Sequence, residues 1–508
     1  MVAASSKRPE LYLEQIVCHL DQECLNPDIL SGAFQSLVEQ SPVLRLAIQA
    51  NEAARLTQYI APSQDVPIET LDWTCISRGE TNQHLQELLR TDRAKGCPLN
   101  TPPCFRVTLI KTSQTTSILI WTFPHALLDG RSFAPLLAQA FINYEAIEAG
   151  YRPSVASEIS DDIFLQHCKA LDALDHSLGE AYFARSLDGW EGDTGLIAPH
   201  QAQTRKKTLT QHLSKSQTEA LVALAKSAQA TLSSVVSAAW GIVLARVTGR
   251  ADAVFGMTLS GRHLLENTTD ALGCFIVTVP FRLRLDHDLT IGALLRSVRK
   301  DQLDLRPFEH TPLAGLRRFT NVPPDKPLLE SSLMFETSSL DLRMKTYGDA
   351  WQHRRVDLYE EDDLPLTVAA YQDEALRIEV EYDSNQVPQA PRLARYLRNL
   401  LCALTEATPM TSLADLSMID DDERQQLNLL AGKTDKIAEP CCITAFERQA
   451  AHTPRRTALE RIGGGKLTYG ELDAAANALA QRLIDHGITH GDVVGLCASR
   501  SPAFVVAI

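Results

Sequence analysis

The stretch Ser117 to Phe123, SILIWTF, is a near-continuous apolar run of strand length. A run of this kind reads as a strand buried on both faces, because a strand with one wet face alternates instead. Pro124 follows it and ends the ladder, since proline has no N–H to donate. A short loop, His125 to Gly130, leads into a helix with Phe133, Leu136, Leu137, Ala140 and Phe141 on one face. Such a strand, loop and helix must sit between other apolar layers, so the chain has to supply them. It does so with both periodicities. Asn26 to Val43 and Arg392 to Glu406 have helical spacing, and Ser216 to Leu244 carries two further helices. Val254 to Leu259, Ile276 to Leu283 and the alternating Leu376 to Tyr382 read as strands. The fold class is therefore mixed α and β.

With 508 residues, length alone allows two to four compact units. A core of this size needs no disulfide or metal to hold it. The net charge of −14 argues against a nucleic-acid partner, which would want a basic face. Eleven cysteines are scattered without a CxxC pair or a zinc pattern, as expected of reduced thiols in a cytoplasm. Cys274, in an apolar run, reads as a small buried hydrophobe. Met1 to Glu10 lacks the apolar segment of a signal peptide, and no run reaches the ~20 apolar residues that cross a bilayer. Leu430 to Cys442 is polar and without periodicity, and reads as a linker. A new unit starts at the helix Ile443 to Ala451, and the chain stops in a strand-like run, Val505 to Ile508.

The segment Thr122 to Ser132, TFPHALLDGRS, carries the chemistry. His125 and Asp129 lie four apart just after the buried strand. Histidine, with an unperturbed pKa of ~6.5, is neutral and basic near cellular pH, and a positioned one contributes ~10²–10⁴ in rate. Gly130 places no side chain beside the loop, so a backbone or a substrate can come close. The spacing alone does not separate a catalytic histidine from a packed one. The flanking residues do.

Pro124-His125-Ala-Leu-Leu-Asp129-Gly130 resembles the HHxxxDG motif of condensation domains of nonribosomal peptide synthetases. Further blocks of that family follow in order: Ser41 to Arg45, Ala181-Tyr182-Phe183, Phe255 to Arg262, Gly273 to Thr278, Pro307-Phe308-Glu309 and Leu333-Met334-Phe335. The resemblance covers roughly residues 10 to 430. Past it, Phe446-Glu447, Thr453-Pro454, Leu467 to Leu472, Gly491 to Val494 and Arg500-Ser501-Pro502 resemble the start of an adenylation domain. The chain ends before that family's phosphate loop, so this piece is not expected to adenylate by itself.

The resemblance implies two lobes, each like chloramphenicol acetyltransferase, in a V-shaped pseudo-dimer with a central tunnel. The lobes would be residues 1–175 and 176–429, followed by a linker at 430–442 and a truncated adenylation fragment at 443–508. It implies transfer of an acyl or aminoacyl group from a carrier-protein thioester to an amine or hydroxyl, with no cofactor bound by the domain itself. Substrates would ride on the 4′-phosphopantetheine of donor and acceptor peptidyl carrier proteins, beside an adjacent adenylation domain, with no nucleic acid or membrane partner. His125 would be the second histidine of the motif, as a base or as a positioning group. Asp129 would be structural and pair bidentately with Arg262. Gly130 would mark the oxyanion donors. Pro124, Ser132, Ser260, Phe275 and Thr278 are candidates for the tunnel wall. No metal site is expected.

Two departures stand out. Pro124 replaces the motif's first histidine, and the family's opening SxAQxR block is not found. Two other activities stay open: an acyltransferase using acyl-CoA or a free acceptor, and a non-catalytic domain that docks carriers. Gly463-Gly464-Gly465 reads as a hairpin turn, because Lys466 is followed by Leu467 where a phosphate loop has Ser or Thr. The acidic runs Glu360 to Asp363 and Asp420 to Asp422 read as solvated charge, and His167, His310 and His452 show no partner in the sequence.

Overall fold

The computed structural model describes residues 1, 8–50, 56–153, 161–192, 195–198, 206–266, 268, 271–285, 288–323, 326–431, 441–462 and 464–508. They form two compact units, Met1–Asp420 and Asp421–Ile508. Most of the expected linker, and Gly463, lie outside the described residues.

In the first unit the strands are β1 (Leu13–Leu20), β2 (Leu46–Ala50), β3 (Leu56–Ile60), β4 (Ile68–Asp72), β5 (Arg106–Lys111), β6 (Ser117–Pro124), β7 (Lys206–His212), β8 (Asp252–Leu259), β9 (Val277–Arg284), β10 (Ser331–Glu336), β11 (Arg354–Tyr359), β12 (Leu366–Gln372) and β13 (Leu376–Asp383). Its longer helices are α1 (Pro27–Gln40), α2 (Arg78–Ala94), α3 (Gly130–Glu148), α4 (Asp161–Asp172), α5 (His176–Ser186), α6 (Lys215–Ser227), α7 (Leu232–Thr248), α8 (Ile291–Leu305) and α9 (Ala390–Thr405).

One sheet has the order β11-β1-β6-β5-β4 and the other β7-β13-β12-β10-β8-β9, and β2 and β3 form a separate ribbon. The apolar run that opened the sequence is β6, buried along its whole length. Its side chains divide by parity. Leu119, Trp121 and Phe123 join the core under α1 and α3, whereas Ile118 and Ile120 join a smaller cluster with Leu85 and Leu89 of α2. Helices on both faces explain why the strand does not alternate. The second sheet packs against α6, α7, α8 and α9 around a larger core. There α7 is apolar all round because it is enclosed, and Thr231 with Ser234 closes its N-terminus as a capping box.

The expected division at residue 175 is crossed by the chain's later segments, with Leu272, Met344 and Trp351 in the first sheet's core. Strand β11, far along the chain, completes the first sheet as its edge, antiparallel to β1, with Ile16 opposite Leu358. Arg354 anchors it. Its guanidinium lies over the Phe141 and Trp351 rings at 4.2 and 4.8 Å and pairs with Glu23 at 2.9 Å.

The second unit consists of α10 (Asp421–Ala431), α11 (Cys442–His452), β14 (Thr457–Glu460), β15 (Lys466–Thr468), α12 (Tyr469–Asp485) and α13 (Pro502–Ala507). One expectation is refined here and one changes. Asp421 and Asp422 are exposed in the first turn of α10, where acids suit the helix dipole, so the acidic run opens a helix. Val505 to Ala507 is helical, not extended, since Ser501 caps α13 and Pro502 starts it. A four-residue apolar run has too few residues for periodicity to decide. Among the described residues no single helix is long and apolar enough to cross a membrane.

Candidate active site

His125 stands one residue past β6. Its backbone N–H donates to the Tyr12 carbonyl at 2.7 Å, so the ladder runs one bond further than the sequence suggested. In an antiparallel pair, hydrogen-bonded and non-bonded positions alternate. With Tyr12 and His125 bonded, Leu13 and Pro124 form the non-bonded position between β1 and β6. On the other side β5 begins opposite Thr122 and so does not reach Pro124. Pro124 therefore costs no ladder bond, and its replacement of a histidine leaves the next residue's backbone in place. Tyr12 itself sits at φ 57, a region rare for a non-glycine residue. It is held there by its N–H to the Glu361 carbonyl at 2.8 Å and by its hydroxyl on the Asp363 carboxylate.

Four residues on, Asp129 is fully enclosed and makes the bond that fixes the loop. Arg262 Nη2 reaches Asp129 Oδ1 and Oδ2 at 2.6 and 2.8 Å, with the side chains 2% and 0% exposed. The expected two-pronged pairing is corrected in one respect: a single nitrogen serves both oxygens. Nη1 is already used by the Ala271 carbonyl at 2.8 Å. The Phe275 N–H also donates to Asp129 Oδ2 at 3.0 Å, and its ring lies 4.1 Å below the Arg262 guanidinium. The turn that aims Arg262 requires glycine at 261, where φ is +63 and an added Cβ would lie 1.8 Å from the Phe275 carbonyl oxygen.

The remaining sequence candidates separate. Ser132 was expected at a tunnel wall, but it is wholly buried and its hydroxyl donates to the Gly273 carbonyl at 2.9 Å and lies 3.1 Å from Asp129 Oδ1. It belongs to the loop's anchor, because three residues into α3 its side chain points back over the N-terminus. Phe275 is likewise a support under Arg262. Ser260 is half-buried at the end of β8, and Thr278 is half-buried with its hydroxyl 3.1 Å from that of Thr258. Gly130 is the first residue of α3, with open space where a Cβ would point. Its carbonyl accepts from Arg343 Nη1 at 2.6 Å.

Two residues that sequence reading missed face His125. Glu14 Oε1, on β1, is 3.8 Å from His125 Nε2 and the residue is 1% exposed. Glu360 completes the group: one ligating atom from each of Glu14, His125 and Glu360 lies within 4.8 Å of the others. Glu360 and its neighbours are a correction. None of the four acids from Glu360 to Asp363 is merely solvated charge. Asp362 pairs with Lys206, Glu361 lies 3.5 Å from Arg93, and Asp363 takes the Tyr12 hydroxyl. The signal for Glu14 was present, as a Glu-Gln pair interrupting an apolar strand. Glu360 carried none, because its approach to His125 depends on β11 joining β1.

Burial pushes the Glu14 carboxyl up to about 8, with Arg93 opposing. Burial likewise pushes Glu360 up to about 8, and the neighbouring Glu14 adds to it. For His125 burial acts against the charged form, but Cys274 and Glu360 outweigh it, and the imidazole is raised to about 9. Two carboxyls and one imidazole thus share protons in a dry corner. By residue type they would also suit a divalent cation. A cleft of about 520 Å³ adjoins the group, with Gln15, Arg93, Lys206, Glu360 and Glu381 in its walls.

Two helix-covered sheets, with a histidine at the end of a central strand and a buried Asp–Arg pair behind it, define a mixed α/β architecture with a candidate catalytic histidine. The chain matches the condensation domain family over residues 1–428 and the AMP-binding enzyme family over residues 446–508. It belongs to the condensation domain family and continues into the start of an AMP-binding domain. Condensation domains of nonribosomal peptide synthetases are acyltransferases that form peptide bonds.

One of the linear gramicidin synthase proteins of Brevibacillus parabrevis is 30% identical over 512 residues, 98% of this chain and 10% of that protein. Surfactin synthase subunit 3 of Bacillus subtilis (strain 168) is 25% identical over 505 residues, 98% of this chain and 39% of that protein. The chain spans a tenth or less of the three linear gramicidin synthase proteins it matches. Among solved structures, the starter condensation domain of rhizomide synthetase, in complex with C8-CoA and Leu-SNAC, superposes with a TM-score of 0.66 at 16% identity, covering 82% of this chain and 95% of that one. The X-domain from teicoplanin biosynthesis gives 0.67 at 18%, covering 81% and 94%.

Proposed function

We propose that this domain transfers an acyl or aminoacyl group from a carrier-bound thioester to a nucleophilic acceptor at His125, forming an amide or ester. The observation that supports this best is the fixing of His125. Its backbone is pinned to Tyr12, and its loop is locked from behind by the enclosed Asp129–Arg262 pair. A histidine so held can orient the acceptor and take its proton. Asp129 is not a base, because Arg262 and the N–H groups of Arg131 and Phe275 already claim its oxygens. Gly130 opens α3, and the N–H groups at a helix N-terminus favour negative charge, which suits the oxyanion of the tetrahedral intermediate.

The partners proposed are donor and acceptor peptidyl carrier proteins, whose 4′-phosphopantetheine arms bring the substrates, and an adenylation domain of which residues 443–508 are the start. The domain itself needs no cofactor, and a cytoplasmic location fits its free cysteines. The test is to load a donor carrier with a panel of acyl groups and offer amines on carriers or free, reading product by intact-protein mass spectrometry. Product that is lost in His125→Ala, with the fold retained by circular dichroism, supports the reading. Product only with CoA donors or free acceptors moves the assignment to a soluble acyltransferase. Carrier binding without any product assigns a docking role.

A further inference from the structure

We propose that Glu14 and Glu360 form, with His125, a seat for the acceptor's nitrogen, which arrives as an ammonium ion. This rests on the acyl-transfer reading of His125.

The seat is built by three neighbouring strands. β1 lies between β11 and β6, with Gln15 opposite Tyr359 and Glu14 opposite Phe123. Continuing both registers by a step or two brings Glu14, Glu360 and His125 to one end of the sheet. What they present there is an unmet acceptor on Glu14. Glu14 is 1% exposed, and its Oε2 has no hydrogen-bond partner among the described residues. The 3.8 Å from His125 Nε2 to Glu14 Oε1 is too long for a hydrogen bond. A buried acceptor left unmade is costly, so the group that completes the seat must bring donors. An ammonium brings three N–H groups, and a hydroxyl brings one.

The surrounding charge asks for a cation as well. Arg93 on α2 is the cation acting on Glu14, and it is already engaged by Glu361 and Gln15. Asp362 and Glu381 add negative charge, and Lys206 is held between those two. Cys274 acts on His125, and Tyr371 feels the Glu360 charge.

Two buried carboxyls in contact do not both ionise, and a single carboxylate beside His125 holds one cation at a time. Empty, that cation is the His125 imidazolium. When the acceptor's ammonium enters, the imidazole proton leaves to solvent and His125 becomes the base. It takes one proton from the ammonium. The neutral amine attacks the thioester carbon, the C–N bond forms and the carbonyl electrons move to oxygen. The nitrogen then loses a second proton to the Glu14 carboxylate, the C–S bond breaks, and the imidazolium protonates the departing sulfur. Glu14 returns its proton to His125. The sum is thioester plus ammonium giving amide, thiol and one released proton.

The test compares an aminoacyl N-acetylcysteamine thioester with its hydroxyacyl counterpart as acceptor, in the native chain, Glu14→Gln and Glu360→Gln, against one acyl-loaded donor carrier. The seat predicts that both variants raise KM for the amine by about tenfold or more, the loss of roughly one ion pair, and leave KM for the hydroxyl nearly unchanged. It also predicts release of close to one proton on amine binding, measured by calorimetry in buffers of different ionisation enthalpy, and its loss in Glu14→Gln. Equal effects on both acceptors, or none, overturn the seat while leaving acyl transfer at His125 standing. Absence of product from the native chain with either acceptor overturns the acyl-transfer reading and the seat with it. Should Glu14→Gln fail to fold, Glu360→Gln carries the comparison.

Discussion

Arg262 and Asp129, 133 positions apart in the chain, meet in a fully enclosed contact in which one guanidinium nitrogen touches both carboxylate oxygens at 2.6 and 2.8 Å. The contact ties the loop of the first sheet to the turn after β8 in the second, and it sets where His125 stands without touching the histidine.

Removing one partner strands the other. Arg262→Ala leaves the Asp129 carboxylate buried without its cation, and the expected loss is about 3–5 kcal/mol of unfolding free energy. Replacing Asp129 and Arg262 together by alanine costs less than the sum of the single changes, because no uncompensated charge remains. Urea unfolding of the two single variants and the double variant measures the coupling.

Gly261→Ala is expected to disable the domain although it removes no functional group. Its φ of +63 disfavours any L side chain, and the added carbon would overlap the Phe275 carbonyl. The backbone penalty of about 1–2 kcal/mol is joined by the displacement of Phe275, and with it of Arg262. Loss of transfer activity with a lowered melting temperature is the expected result, and unaltered activity would show that the turn yields freely.

Arg354→Ala should loosen β11 from the first sheet. The guanidinium lies against the Phe141 and Trp351 rings and is paired with Glu23, so its removal takes away packing and charge pairing together. Hydrogen exchange is expected to rise in residues 354–359 and in their β1 partners before it rises elsewhere.

Glu309 gives the domain a pH dependence of its own. The residue is 2% exposed, and burial pushes its carboxyl up to about 7, against the His263 backbone N–H and the Arg306 charge. The unfolded value is about 4.3. A folded value above the unfolded one means that the stability is fully present below about 4.3 and is lost as pH rises through 7. Relative to the native chain, Glu309→Gln should therefore gain stability from pH 5 upward and level off above pH 7. A difference that stays constant over that range would show that Glu309 does not titrate there.

Much of this protein was readable along the chain because its signals are local. SILIWTF announced a doubly covered strand, and the helix after Gly130 and the strands at 252–259 and 277–284 lay close to where their periodicity put them. His125, Asp129 and Arg262 were legible through their motif, since a loop between strand and helix keeps its spacing in any fold that uses it. Glu360 was not. Its four-acid run has the composition of a wet loop, and only the pairing of β11 with β1 turns that loop inward. Val505 to Ala507 went the other way, read as extended where the Ser501 cap and Pro502 start a helix.

Local pattern, set by side-chain period and backbone chemistry, thus determined several elements, among them β6, β8, β9 and β13, and the resemblance of the loop's motif to a family singled out the histidine. Tertiary structure alone decided what surrounds that histidine. The strand order is chosen by how apolar faces find cover, a global problem that no segment solves by itself. It was that order which placed two carboxyls from distant parts of the chain in a dry corner beside His125, where burial changes their affinity for protons.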